Sequence, residues 1–129
     1  MKPYKVCKVE DLKSGERKLL TIEGRNIGLF NVKGKYTAIK NSCPHQGAPL
    51  CEGRVEGMTV VKKNRELEYI RDGEILRCPW HGWEFDLLNG NSIFNPLKCR
   101  TKAYKVTIEK DPVETYPVTI ENEYIFVHI

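Results

Sequence analysis

Two short segments hold most of this chain's capacity for metal chemistry. Cys43-Pro44-His45-Gln46-Gly47 and Cys78-Pro79-Trp80-His81-Gly82 each supply one thiol and one imidazole within four residues. As a pattern, C-x-H is followed, after a gap of 32 residues (78 − 45 − 1), by C-x-x-H. Proline restricts each loop, and glycine lets the backbone come close to an inorganic group. Side by side, the segments present two thiolates and two imidazoles to one centre. A single zinc with a Cys2His2 ligand set is one possibility. A [2Fe–2S] cluster, with two Cys on one iron and two His on the other, is the second. Zinc sites usually keep like ligands together in close pairs, whereas each segment here carries one of each kind. The spacing therefore favours the cluster.

Such loops need a rigid support, and the rest of the chain reads as β. Residues 18–22, 26–32 and 35–39 are strand-like runs separated by the turn signals Glu23-Gly24 and Lys33-Gly34. Tyr104, Val106 and Ile108 alternate with Lys105, Thr107 and Glu109, the period of a half-buried strand. Residues 117–120 and 124–127 predict two further strands joined at Glu121-Asn122-Glu123. Helical period is absent, apart from one turn expected at Asp11-Leu12-Lys13. Asp72-Gly73 is a two-residue type I′ hairpin signal. A turn there sets Arg71 against Glu74, Ile70 against Ile75, Tyr69 against Leu76 and Glu68 against Arg77, each pair opposite in charge or jointly apolar. The returning strand would deliver Cys78 into its loop.

The 129 residues amount to one domain, able to bury a core without staples. Hydrophobic residues are 40% and charged residues 29%, which excludes disorder as the main state. No apolar run approaches the roughly 18 residues of a membrane span. The start, Met1-Lys2-Pro3-Tyr4, has no apolar signal region, so the expected location is the cytoplasm, with no membrane partner. The net charge of +4 is scattered, without the stripe of cations and aromatics that a nucleic-acid partner asks for. Five cysteines are too few for a disulfide scaffold and cannot all pair within one chain. Cys7, Cys51 and Cys99 read as structural or incidental thiols, since free Cys behaves as a small hydrophobe. His128 reads as a packed or surface histidine. Trp80 and Trp83 read either as packing against loop backbone or as a shield and electron exit.

The segments Cys43-Pro-His-Gln-Gly-Ala-Pro-Leu50 and Cys78-Pro-Trp-His-Gly-Trp-Glu-Phe-Asp86 resemble the two cluster-binding loops of the Rieske [2Fe–2S] family. They are most similar to its Rieske ferredoxin and ring-hydroxylating-oxygenase branch. The resemblance implies an all-β fold of antiparallel layers with a small cluster-binding subdomain. The whole chain, 1–129, would be a single Rieske domain, with that subdomain at about 41–98 and a base from 1–40 and 99–129. Cys43 and Cys78 would ligate one iron, and His45 and His81 the other. Relative to many members the gap between the loops is long, and the excess falls at 55–76. It reads as a lengthened surface hairpin, or functionally as a docking surface beside the cluster. Only Asn95-Pro96-Leu97 offers a third loop to cover the cluster. The disulfide of respiratory-type members is not expected, since Trp80 stands at the second-loop position and Cys51 comes too late for the first. Fewer hydrogen-bond donors imply a potential at the low end of the Rieske range, on the order of −150 mV.

These features imply an electron carrier rather than an oxygenase. A mononuclear iron site takes two His and one carboxylate, but after His45 and His81 only one histidine remains. The expected role is a Rieske ferredoxin, moving one electron from a flavin-dependent reductase to a terminal oxygenase or similar acceptor. Imidazole ligands would couple electron uptake to proton uptake. The alternatives are a small assembly subunit resembling the nitrite reductase small subunit, and a structural zinc module.

Overall fold

The computed structural model describes the backbone of all residues except His45, His81, Tyr116 and Pro117, and the side chains of all except these and the run 111–121. The described residues form nine strands in order: β1 Pro3–Lys8, β2 Arg17–Ile22, β3 Arg25–Val32, β4 Lys35–Lys40, β5 Arg54–Val61, β6 Leu67–Arg77, β7 Glu84–Asp86, β8 Ala103–Thr115 and β9 Val118–His128. Short 3-10 turns occupy Val9–Asp11 and Leu50–Glu52. The described residues include no α-helix, and no helix long and apolar enough to cross a membrane. All pairing is antiparallel. One sheet has six strands in the order β1-β9-β8-β4-β3-β2, and a second has three in the order β5-β6-β7.

The β2–β3–β4 meander follows from its turns. Glu23 and Gly24 both have positive φ, as do Lys33 and Gly34, the requirement of a type I′ turn. Its twist matches that of the flanking strands, so the register runs unbroken from Arg17↔Phe30 to Val32↔Lys35. Asn31 secures the second turn, accepting from Gly34 N–H at 2.7 Å and donating to Leu12 O at 2.9 Å. Leu12 is thereby buried, which moves the expected helical turn back to Val9–Asp11.

Two sequence expectations are corrected. Asp72-Gly73 does not turn the chain. The β5–β6 hairpin turns at 62–66, where Lys62 N–H donates to Glu66 O and Arg65 N–H to Lys62 O. Asp72 lies inside β6 in an enlarged bulge, residues 71–74 standing opposite Gly57, for the register jumps from Glu56↔Ile75 to Met58↔Ile70. The bulge folds over Gly57, where a Cβ would lie 2.5 Å from Ile70 O, and Tyr69 Oη accepts from Gly57 N–H. Arg71 does meet Glu74, at 2.9 Å, but across the bulge rather than across two strands. A longer ladder with β5 outweighs the local turn preference. Second, β9 is one strand and not two. Glu121-Asn122-Glu123 contains neither Gly nor Pro, and β8 offers partners along its whole length, from Lys105↔His128 to Thr115↔Val118.

Two apolar clusters fill the interior. One, with Ile27, Leu29, Ala38, Ile125 and Val127, belongs to the six-stranded sheet. The other, with Ile39, Leu50, Leu76 and Phe85, joins that sheet to the three-stranded one and takes in Cys43 and Cys78.

Candidate metal centre

The two cysteine segments fold into matched loops. In the first, Cys43 N–H donates to Ala48 O at 2.9 Å and Gly47 N–H donates to Cys43 O at 2.7 Å. In the second, Cys78 N–H donates to Trp83 O at 2.7 Å and Gly82 N–H to Cys78 O at 3.1 Å. The scheme is the same: residue one to residue six, residue five back to residue one. Residue five is glycine in both, with φ of +72° at Gly47 and +70° at Gly82. A side chain there would be strained, so glycine is dictated by the turn.

Each loop is held differently. The first leaves β4 and returns through the 3-10 turn Leu50–Glu52. Arg17 Nη1 donates to Cys51 O at 2.8 Å and to Gly53 O at 2.6 Å, tying that return to β2. Asn41 Oδ1 accepts from Cys51 N–H at 2.8 Å. Thr101 Oγ1 lies 3.2 Å from both Lys40 O and Ser42 O. The second loop is spliced between β6 and β7, whose ladder ends at Arg77↔Glu84. Gly53 joins the two supports: a Cβ there would fall 1.9 Å from Arg77 O, so only glycine permits the contact.

Cys43 and Cys78 are both 2% exposed and sit in one apolar cluster, and none of the five cysteines is in a disulfide. Buried thiol donors on tight glycine loops fit a soft metal centre such as an iron–sulfur cluster. His45 and His81 lie outside the described residues. Cys51 is buried in the same cluster, and burial pushes its thiol up to about 12, so it stays protonated at neutral pH. Burial also raises the Cys7 thiol. His128 is on β9, its Nε2 2.7 Å from Thr107 Oγ1.

A cavity of about 600 Å³ beside the second loop is lined by Gly82, Trp83, Glu84, Ser92, Ile93 and Phe94, and Pro96 lines a neighbouring one with Met58, Arg71 and Asp86. Phe94 is 93% exposed, Leu97 91% and Trp80 57%. Sequence reading missed Gly53, Gly57 and Arg17, because a glycine dictated by a neighbouring strand carries no local signal.

Comparison with known proteins adds four findings. A model of the Rieske [2Fe–2S] domain matches residues 2–117. The ferredoxin component of the naphthalene 1,2-dioxygenase system of Pseudomonas putida is 31% identical over 101 residues, covering 78% of this chain and 82% of that one. Apoptosis-inducing factor 3 of human and mouse is 31% identical over 108 residues, or 84% of this chain, and the chain spans only 15% of its length. Among solved structures, the complex of reduced oxygenase and oxidized ferredoxin in carbazole 1,9a-dioxygenase contains a chain with the same fold. Its TM-score is 0.66 at 20% identity, over 97% of this chain and 91% of that one.

Proposed function

Because the chain belongs to the Rieske [2Fe–2S] family and its cofactor is a [2Fe–2S] cluster rather than zinc, we propose that it is a one-electron carrier. It takes its electron from a flavin-dependent reductase and passes it to a terminal oxygenase or similar redox acceptor. The observation that carries this reading is the matched pair of loops, each burying one cysteine in a common apolar cluster. Cys43 and Cys78 would hold one iron as thiolates, and His45 and His81 would hold the other through ring nitrogens. The segment 41–98 is the cluster-binding subdomain, and 1–40 with 99–129 forms the base. When bound, the cluster supplies one-electron chemistry.

The chain's own residues keep that exchange fast by staying still. Leu50, Leu76 and Phe85 exclude water from the cysteine side. The fixed loop hydrogen bonds hold the backbone in one geometry, so little must rearrange on reduction. Trp80 and Phe94 leave an apolar surface next to the second loop, where a partner can approach closely. Catalysis is assigned to the partner, since His128, the one histidine left over, is engaged with Thr107 in the base sheet. The dioxygenase ferredoxin relative and the oxygenase–ferredoxin complex support this role. The proposed location is the cytoplasm.

Anaerobically purified protein is expected to contain about two irons and two sulfides per chain, and to give the EPR signal of a reduced mixed-ligand cluster. In stopped-flow, a flavin-dependent ferredoxin reductase with NADH should bleach the visible bands, and an oxygenase component should restore them. A cluster that dithionite reduces but no such reductase does would overturn the carrier role.

A further inference from the structure

The end of the three-stranded sheet that feeds the second loop carries a row of charges. Arg77 closes β6 and immediately precedes Cys78. In the register it stands opposite Arg54 on β5 and opposite Glu84 on β7. Directly opposed residues share a face of the sheet. Glu56, two residues along β5, lies on that face too, and its Oε1 is 3.1 Å from Arg77 Nε. The Arg77 side chain also reaches the second loop. A Cβ built on Gly82 would be 3.9 Å from Arg77 Cδ and 4.0 Å from Arg77 Nε. Gly82 follows His81, and its N–H binds Cys78 O. The guanidinium is therefore placed beside the loop that carries both of these residues.

The first loop has no charge at the matching place; its guanidinium, that of Arg17, binds Cys51 O and Gly53 O on the return instead. The position matching Gly82 is Gly47, whose Cβ would meet Ser42 Oγ at 4.0 Å. Ser42 precedes Cys43 as Arg77 precedes Cys78. The same place relative to the backbone is thus neutral in one loop and cationic in the other. The counter-charge comes from β5, the first strand of the lengthened hairpin, which gives that extra segment a role at the centre.

We propose that Arg77 and Glu56 are potential-setting residues of the electron-transfer site: Arg77 holds a cation over the second loop, and Glu56 offsets it. This rests on the reading of Cys78 and His81 as ligands. Reduction adds one negative charge to the site. A nearby cation favours the reduced state and a nearby carboxylate opposes it. Arginine remains charged at all accessible pH values, so the effect requires no titration. Both side chains are partly exposed, 48% for Arg77 and 23% for Glu56, so salt weakens the effect.

The test uses the cluster-loaded protein, with protein-film voltammetry at neutral pH and low ionic strength. Glu56→Gln should raise the potential and Arg77→Gln should lower it. Each shift should correspond to about a twofold to tenfold change in the reduction equilibrium, tenfold being about 59 mV for one electron. Arg77→Lys should stay near the parent value. At about 1 M salt, where the Debye length is roughly 3 Å, the shifts should shrink. A purely structural role would move Glu56→Gln and Arg77→Gln the same way and would alter the EPR signal. Equal signs, or unmoved potentials with a normal EPR signal, overturn the inference while leaving the carrier reading intact. A parent protein that holds no cluster overturns both. If Arg77→Gln does not fold, Glu56→Gln decides alone, since it leaves Arg77 in place.

Discussion

The two cysteine loops share a backbone and differ in what holds them. Both close with the same pair of hydrogen bonds and the same left-handed glycine. The first is braced by contacts to main-chain atoms: Arg17 to two carbonyls, Asn41 to the Cys51 N–H, and Thr101 between Lys40 O and Ser42 O. The second is spliced into a small sheet whose outer face is charged. Lys33 meets Glu74 at 3.2 Å, Arg71 meets Glu74 at 2.9 Å, and Arg71 Nη2 meets Asp86 at 2.8 Å. A six-residue loop is thus a repeatable local unit, and its surroundings make the two copies unlike.

The largest effects should ignore that difference. Cys43→Ser and Cys78→Ser are each expected to abolish the normal cluster, and to the same extent. Cys7→Ser, Cys51→Ser and Cys99→Ser should leave the visible spectrum intact. Metal analysis and absorption check this, and loss of the cluster in Cys51→Ser would put the wrong thiol in the first loop.

Glycine substitutions sharpen the comparison through stability. Gly53→Ala forces a Cβ into the Arg77 carbonyl, a backbone atom that cannot swing aside. Urea unfolding should show a loss of about 3 kcal/mol, the upper end for overpacking. Gly47→Ala and Gly82→Ala meet nothing closer than 3.9 Å. They carry only the left-handed backbone penalty, about 1–2 kcal/mol each. Because the loops match, the two losses should agree. Clearly unequal losses would show that the shared hydrogen-bond scheme hides a difference in strain.

Sequence exposes the parts of this design that are local. The Cys–His spacing, the glycines at loop position five, and the I′ turns at Glu23-Gly24 and Lys33-Gly34 are each written within a few residues. The bulge at Arg71 is not, because it depends on Gly57 in another strand giving way to Ile70 O. Asp72-Gly73 has the chemistry of a hairpin turn, yet the ladder to β5 carries the chain through it. Arg77 is similar. As a residue it reads as a strand end facing Glu68, and only the register places Glu56 against it and Gly82 beneath it. Side chains that act across strands leave no spacing to read.

The smallest expected effect separates the two braces by pH. Hydrogen bonds from Arg71 and then Lys33 hold the Glu74 carboxyl below its ordinary value of 4.5. The folded state therefore binds that proton less tightly than the unfolded chain. The stabilisation is present above the ordinary value and is lost as pH falls through the lower folded one. Partly exposed pairs of this kind contribute under about 1 kcal/mol. The first loop's brace has no carboxylate, so mild acid should not reach it. Two amides report the difference: Leu87 N–H, which donates to Glu74 O at 2.9 Å, and Cys51 N–H, which donates to Asn41 Oδ1. After correction for intrinsic exchange, hydrogen-exchange protection at Leu87 should fall about threefold as pH drops below the ordinary carboxylate range. Protection at Cys51 should hold. Glu74→Gln should lower Leu87 protection at neutral pH and flatten its response to acid. If both amides open together in the parent protein, the two loops share one cooperative support, and the distinction between a main-chain brace and a charged one fails.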